Sequence, residues 1–525
     1  MYSLLIKNAI IIDGANNPWY KADIAIKKGK IIKISKNLNQ KAIKEIELNG
    51  EIVSPGFIDI HSHSGYSLLT NGKAESKLRQ GVTTEVIGNC GMSAAPLPVD
   101  KSKTKYKLKK NYNINLNWSN YKEYLDVLNK KEKSINVVSL IGHGTLREAV
   151  MGNNDRTPSD QEMKKMKKIL KKSLEEGAAG FSTGLFYPPS SYANTEEIIE
   201  LARVASEYDA IYATHLRYEG AKLLEGVEEA IKIGRKASIP VQISHHKVTD
   251  KKSWGLTKKT IQMMKKAREE GVDVTCDVYP YLAFSTSLCS LLPQWALDGG
   301  RQKMVERINN DHDYTKILRY LKAGEDRPDW EDIYISHVNL KEHKSFVGNN
   351  IKKLGEELEI SPEELVLNIL RKEKNEVKRI GFGMCDEDLE RVLKYKNSMI
   401  GSDGSSLADY GILSKGKPHP RNFGAFPKLI RKYVREKKLF TLEEAIHKMT
   451  GLTAWRLGLS NKGFIREGMD SDLVIFDFKE VSDRAEYINP FQYPKGIKYV
   501  IIDGQIVIDN GVHTNLYPGK VIFYN

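Results

Sequence analysis

Cysteine is scarce: Cys90, Cys276, Cys289 and Cys385 are the four in 525 residues. So few, so widely scattered, exclude a disulfide framework. Each thiol is left free for other chemistry in a reducing compartment, and the cytoplasm is the expected location. No stretch approaches the ~20 apolar residues that a membrane helix needs. The first apolar run, "SLLIKNAIIIDG", is broken by Lys7 and ends in a turn, unlike a secretory signal. Arginine-rich tracts and aromatic-interleaved basic strips are also missing, although Lys and Arg outnumber Asp and Glu by 81 to 67 for a net charge of +14. The excess is spread over short lysine pairs such as "KKMKKILKK" at helical spacing, the texture of solvated helix faces. A nucleic-acid footprint would be clustered. Nucleic acid and membrane are therefore excluded as expected partners, while the oligomeric state, a homo-oligomer included, stays open.

What is present is an ordinary globular balance, 40% hydrophobic and 28% charged residues, in a chain long enough for two or three domains. The N-terminus reads as short strands joined by Lys-Gly and Asn-Gly turns: "SLLIKNAIIID", "ADIAIKKGKIIKISK" and "AIKEIELNGEIVSPG". Such texture predicts antiparallel hairpins. It returns at the C-terminus in "SDLVIFDF" and "GIKYVIIDGQIVIDNG". We expect one small β-sandwich domain built from residues 1–54 and 461–525. The middle, 55–460, alternates short β-branched runs with charged helical stretches. Eight such runs occur: "GFIDIH", "TTEVIGN", "INVVSLIG", "AAGFSTG", "AIYATH", "IPVQISH", "VDVTCDVY" and "SMIGSD". Eight strand–helix units predict an α/β fold with a TIM-like (β/α)8 barrel, whose reactive groups stand at the C-terminal ends of the strands. An insertion at about 282–388 is expected to lie over the barrel mouth.

The strand ends carry the chemistry. In "PGFIDIHSHSGYS" side chains alternate, so His61 and His63 share a face, about 7 Å apart along a strand, and can converge on one metal ion. Alone, His-x-His is more often a strand end with two half-exposed imidazoles. The second run, however, ends in "GNCG" with Cys90, the fifth at His215, the sixth at His245 and His246, and the eighth at Asp403. Each member is weak evidence: Cys90 could be a small buried hydrophobe and Asp403 a turn residue in "SDGSS". Together, at the positions where a barrel places its chemistry, they point to a metal-dependent enzyme. His246 must point to the far side of its strand and is expected in the core. His143, in "IGHGTLR", stays unassigned.

On "PGFIDIHSH", "VIGNCGMSAAPL", "GLFYPPSSYA", "ATHLRYEG", "QISHHK", "CDVYPY", "IGSDG", "KPHPRNFGAFPKL" and "DLVIFD", the chain resembles the D-aminoacylases (N-acyl-D-amino-acid deacylases) of the amidohydrolase superfamily, from about Pro55 to Asp477. The resemblance implies a tightly bound zinc ion (Zn2+) on Cys90, His215 and His245. It assigns His61 and His63 to a second metal position that is weak or absent. Many relatives use a fourth-strand lysine as metal bridge; here "AAGFSTGLFYPP" has none, and the Cys90 thiolate takes its place. Asp403 is implied as the general base and acid. Arg421 and Lys247 are implied to bind the substrate α-carboxylate, Tyr187 to contact the substrate, and Tyr279 and Tyr281 to wall the pocket. The implied reaction is hydrolysis of a small-molecule N-acyl-D-amino acid to a carboxylate and a free D-amino acid. The alternatives are a dipeptidase or a cyclic amide hydrolase of the hydantoinase or dihydroorotase kind, and, from a different class, a catalytically inactive scaffold relative. The missing fourth-strand lysine argues against the cyclic amide hydrolase, and retention of every ligand with Asp403 argues against the scaffold.

Overall fold

A computed structural model of the chain describes residues 1–324, 327–374 and 376–524. The expected barrel strands form, all parallel. Phe57–Asp59, Val82–Ile87 and Asn136–Ser139 pair in that order. A second set runs Ile141–Gly142, Gly180–Gly184, Ile211–His215, Val241–Ile243, Val274–Val278, Ser398–Ile400. The third run, "INVVSLIG", serves both sets: its first half pairs backward with Val82–Ile87 and its second half forward with Gly180–Gly184. The ring closes where Asp403 N–H donates to His61 O and His63 N–H to Gly404 O, each at 2.8 Å. Closure thus sets the last strand end directly against the first.

The intervening helices are amphipathic and cover the strands. Asp160–Glu175 begins at a capping box, in which Ser159 and Glu162 each satisfy the other's backbone N–H. It buries Met166, Leu170 and Leu174 at four-residue spacing, which puts them on one face toward the barrel. Among the described residues no helix is long and apolar enough to cross a membrane.

Strands from both termini share one nine-stranded sheet. Leu473–Phe476, from the C-terminal segment, lies antiparallel to Ile52–Pro55, from the N-terminal one. One face gathers Leu4, Ile6, Ile24, Ile26, Val53, Leu473, Ile475 and Ile501 into a core of its own. The other contributes Val474, Phe476, Val500 and Ile502 to the barrel core. The expectation of antiparallel hairpins holds for Tyr2–Ile11 with Tyr20–Lys27 and for Tyr20–Lys27 with Lys30–Ser35. It fails for "AIKEIELNGEIVSPG". Ala42–Glu47 and Ile52–Pro55 do not pair with each other but lie end to end, both parallel to Tyr2–Ile11. The Asn-Gly signal there bends the chain along one edge without reversing it.

Beyond Val274–Val278 the chain leaves the barrel. Ala283–Ser287, Ile333–His337 and Lys378–Phe382 form a separate antiparallel sheet with Lys378–Phe382 in the centre. The helices around it bury a core including Leu288, Met304, Ile317, Leu354 and Leu367. Asp386–Lys394 is already back on the barrel, against Leu256–Glu269.

Candidate metal centre and active site

Cys90 is the hub of the mouth. Its Sγ lies 3.3 Å from His61 Nε2, 3.7 Å from His215 Nδ1 and 3.5 Å from His245 Nε2. Two donor groups result, each with its atoms within 4.8 Å of one another: Cys90 with His215 and His245, and Cys90 with His61, His63 and Asp403. All are buried except His63, which is half-buried.

This donor set fits zinc. Thiolate and imidazole are its preferred ligands, and the second nitrogen of each facing ring meets a carboxylate. His215 Nε2 stands 3.6 Å from Glu219 Oε2, His245 Nδ1 stands 3.2 Å from Glu219 Oε1, and His61 Nδ1 stands 3.2 Å from Asp277 Oδ1. These contacts are electrostatic: His61 Nδ1 and His215 Nε2 make no hydrogen bond among the described residues, and the carboxylates stand behind the rings as negative charges. Burial pushes the Cys90 thiol up, but His61 and His245 outweigh it and hold the group well below its usual range. A thiolate is the form that binds metal.

Three of these residues adopt backbone that side chains rarely take: φ is 52° at Cys90, 36° at His245 and 48° at Asp403. Non-glycine residues persist there only when the surroundings fix them. The fixing bonds are visible. Asp277 Oδ1 accepts the His245 N–H at 2.8 Å, tying the sixth strand end to the seventh strand. Behind Asp403, Lys77 Nζ donates to Asp59 Oδ2 at 2.6 Å and to Ser402 Oγ at 2.5 Å, joining the first strand to the loop after the last. Lys77 and Asp59 are fully buried.

Asp403 divides its oxygens. Oδ1 is 2.9 Å from His63 Nε2, and Oδ2 is 2.8 Å from Arg421 Nη1. Burial pushes the Asp403 carboxyl up, but Arg421 first and then the neighbouring imidazoles bring it well below the ordinary carboxylate range. Arg421 reaches the cluster from the start of the helix Arg421–Lys428, and its guanidinium lies 4.8 Å above the Tyr279 ring. Lys247 Nζ is spoken for differently: it is 2.6 Å from Glu219 Oε1 and 2.9 Å from His245 Nδ1. Tyr187 packs its ring 4.8 Å from that of His215 and shares a 2.9 Å hydrogen bond with Thr286 of the inserted sheet.

Tyr281, expected to wall this pocket beside Tyr279, packs with it around His419. The two would share a face on a strand, but the strand ends at Val278, and Tyr281 N–H folds back to Tyr279 O. Its ring turns to His419, at 5.1 Å, with Lys428 Nζ 3.9 Å above it. His246 faces away, as expected, 2.7 Å from Thr260 Oγ1. His143 stands between Ser190 Oγ and Glu197 Oε1, at 2.9 and 3.0 Å.

Sequence reasoning did not single out Glu219, Asp277 or Lys77. Glu219 lies four residues after His215 within "ATHLRYEG", and Asp277 precedes the strand end in "CDVYPY". Both stood inside recognised motifs, so proximity to a ligand was an available signal. Lys77 had none: Asp59 precedes it by 18 residues and Ser402 follows by 325, and no local pattern joins the three.

The chain is similar to known proteins in sequence and in fold. A sequence profile described as "Amidohydrolase family" matches residues 44–305 and 407–508. The chain is 34% identical to a D-aminoacylase of Alcaligenes xylosoxydans xylosoxydans over 99% of its own length and 97% of that protein's. It is 31% identical to an N-acyl-D-glutamate deacylase of the same organism, over 99% of its length and 96% of the relative's. It superimposes with a TM-score of 0.84, at 30% identity and 99% coverage of both chains, on the crystal structure of N-acyl-D-glutamate deacylase from Bordetella bronchiseptica. That structure holds zinc and a phosphonate inhibitor that mimics the reaction's tetrahedral intermediate.

Proposed function

The chain belongs to the D-aminoacylase branch of the amidohydrolase family, and on that premise we propose that it hydrolyses N-acyl-D-amino acids to a carboxylate and a free D-amino acid. The observation that carries this reading is that Cys90 belongs both to a donor group with His215 and His245 and to one with His61, His63 and the carboxylate Asp403. Cys90, His215 and His245 would hold one zinc ion, with His61 and His63 available to a weaker second position. When bound, zinc supplies Lewis-acid polarisation of the scissile carbonyl and a lowered pKa for the attacking water.

The remaining work falls to the protein. Asp403 accepts the proton of the attacking water and returns it to the departing nitrogen, which makes the amine a leaving group. His63, bonded to Oδ1, keeps that carboxylate aimed inward. Arg421 recognises the substrate α-carboxylate through its planar fork, with Tyr279 beneath it. Lys247 adds a positive charge but is engaged by Glu219, so it orients His245 as much as it attracts substrate. With the α-carboxylate on Arg421 and the carbonyl at the metal centre, two substituents of the chiral carbon are pinned. Exchanging the other two would force the side chain out of its pocket. A reducing cytoplasm suits the free thiol at Cys90.

The test is a substrate panel with product identification. N-acetyl-D-amino acids should yield acetate and free amine, while hydantoins and dihydroorotate should stay closed. Ring opening without deacylation would overturn the reading.

A further inference from the structure

Four arginines are buried among the described residues: Arg147, Arg379, Arg421 and Arg456. Arg147 pairs with Glu197, Arg456 with Asp273 and Arg421 with Asp403. Arg379, 4% exposed, has no such partner among the described residues. Among the described residues its Nε and Nη1 are buried without a hydrogen-bond acceptor, and Nη2 has a 3.2 Å bond to the neutral Ser290 Oγ. Burial lowers its pKa to about 10, which still leaves it charged at neutral pH. An unpaired buried charge is costly unless something of opposite sign arrives to meet it.

Its place in the fold says from where. Arg379 sits on the central strand of the inserted sheet, directly opposite Thr286, so the two side chains share a face. Thr286 Oγ1 is bonded to the Tyr187 hydroxyl, and the Tyr187 ring packs on His215. The face carrying Arg379 is therefore the one that meets Tyr187, which packs on His215. The guanidinium lies 5.1 Å over the Phe284 ring. The neighbouring Gly381 leaves space for it: a Cβ there would come within 3.0 Å of Arg379 Nη1.

We infer that Arg379 binds a second carboxylate of the substrate, the one on the side chain of an acidic D-amino acid, so that the substrates are N-acyl-D-aspartate or N-acyl-D-glutamate. This rests on the deacylase reading above and deepens it. The Arg379 fork supplies two unused N–H groups to the side-chain carboxylate, and Arg421 keeps the α-carboxylate. A neutral side chain would leave Nε and Nη1 without acceptors.

The experiment uses the full-length, zinc-loaded protein and two matched pairs. One is N-acetyl-D-glutamate against its neutral isostere N-acetyl-D-glutamine. The other is N-succinyl-D-leucine against its succinamoyl counterpart, which puts the extra carboxylate on the acyl group instead. We expect kcat/KM to favour glutamate over glutamine by about tenfold or more, the scale of a charge-assisted bond, with no preference in the second pair. Arg379→Met should bring the glutamate-to-glutamine ratio toward one, and Arg379→Lys should keep part of it. The wild-type ratio and the lysine variant carry the test if the methionine variant does not fold. A preference in the succinyl pair alone would overturn the side-chain assignment. No preference in either pair, or one that neither variant moves, would overturn the subsite while leaving the deacylase reading standing. Failure to hydrolyse any N-acyl-D-amino acid would overturn both.

Discussion

Arg421 Nη1 stands 2.8 Å from Oδ2 of Asp403, so the cation expected to bind the substrate carboxylate and the base expected to move the proton form one ion pair. Binding and chemistry are therefore coupled through a single contact. Arg421→Ala should lower kcat/KM by ~10²-fold on an N-acyl-D-amino acid, as for loss of a charge-assisted pair. The loss should be smaller on the matching amide that lacks the α-carboxylate. Steady-state kinetics on that pair of substrates check this, and equal losses on both would mean that Arg421 supports the loop rather than the ligand.

Asp403→Asn keeps the shape of the side chain and removes its capacity to carry a proton. Turnover should fall by ~10²-fold or more while zinc content holds. Combined with Arg421→Ala, the double variant should lose less than the two single losses multiplied, because the residues share one contact. Near-normal turnover in the zinc-replete asparagine variant would place the base elsewhere.

Lys77 shows where the site depends on groups distant from it in the chain. It bonds Asp59, on the first strand, and Ser402, next to Asp403. Lys77→Met leaves Asp59 buried and unpaired, which should cost about 3–5 kcal/mol of stability. In protein that still folds, kcat should fall more than KM rises, since the contact positions Asp403 without touching substrate. Denaturant unfolding with parallel kinetics checks both, and unchanged kcat in a destabilised protein would make Lys77 purely structural.

A second buried network sets a pH dependence. Burial pushes the Glu197 carboxyl up, but bonds from His143 and Arg147 outweigh it and leave it below the usual range. Burial pulls the His143 imidazole below its ordinary 6.5. Both folded-state values are depressed, so the unfolded chain binds more protons as pH falls. Stability from this network is complete above about pH 6.5 and is lost progressively on acidification, first through His143 and then through Glu197. Glu197→Gln should lower the thermal midpoint at pH 7 and, by removing the carboxylate that supports a protonated His143, steepen its fall from about pH 6.5 toward pH 4. A variant midpoint that tracks the wild type in parallel across that range would contradict the assignment.

Much of the site is legible in the sequence. His61, His63, Cys90, His215, His245 and Asp403 were found because strand periodicity and barrel topology put reactive groups at one end of the strands. The placing of Tyr279 and Tyr281 around His419 is not a matter of strand spacing, because the strand ends at Val278. The inserted sheet was not foreseen in detail, since Ala283–Ser287 pairs with Lys378–Phe382 nearly a hundred residues later. Glu219 and Asp277 carried a local signal, their closeness to ligand positions, whereas Arg379 and the Lys77–Ser402 contact depend on the fold. The N-terminal parallel pairings escaped for the same reason: turn residues report a change of direction, not which strand will be the neighbour.

Removal of Cys90 addresses the metal alone. Cys90 belongs to both donor groups, so Cys90→Ala should strip zinc from the purified protein, and elemental analysis showing full retention would take Cys90 out of the ligand set.

The central claim is that one zinc ion, held at Cys90, His215 and His245, drives hydrolysis of the D-enantiomer. The most direct measurement is a zinc titration of the chelator-treated, full-length protein, following amine release from matched N-acetyl-D- and N-acetyl-L-amino acids. Activity should rise in proportion to zinc up to one equivalent per chain and appear with the D-substrate. Turnover that is independent of zinc, or equal for the two enantiomers, would contradict the account.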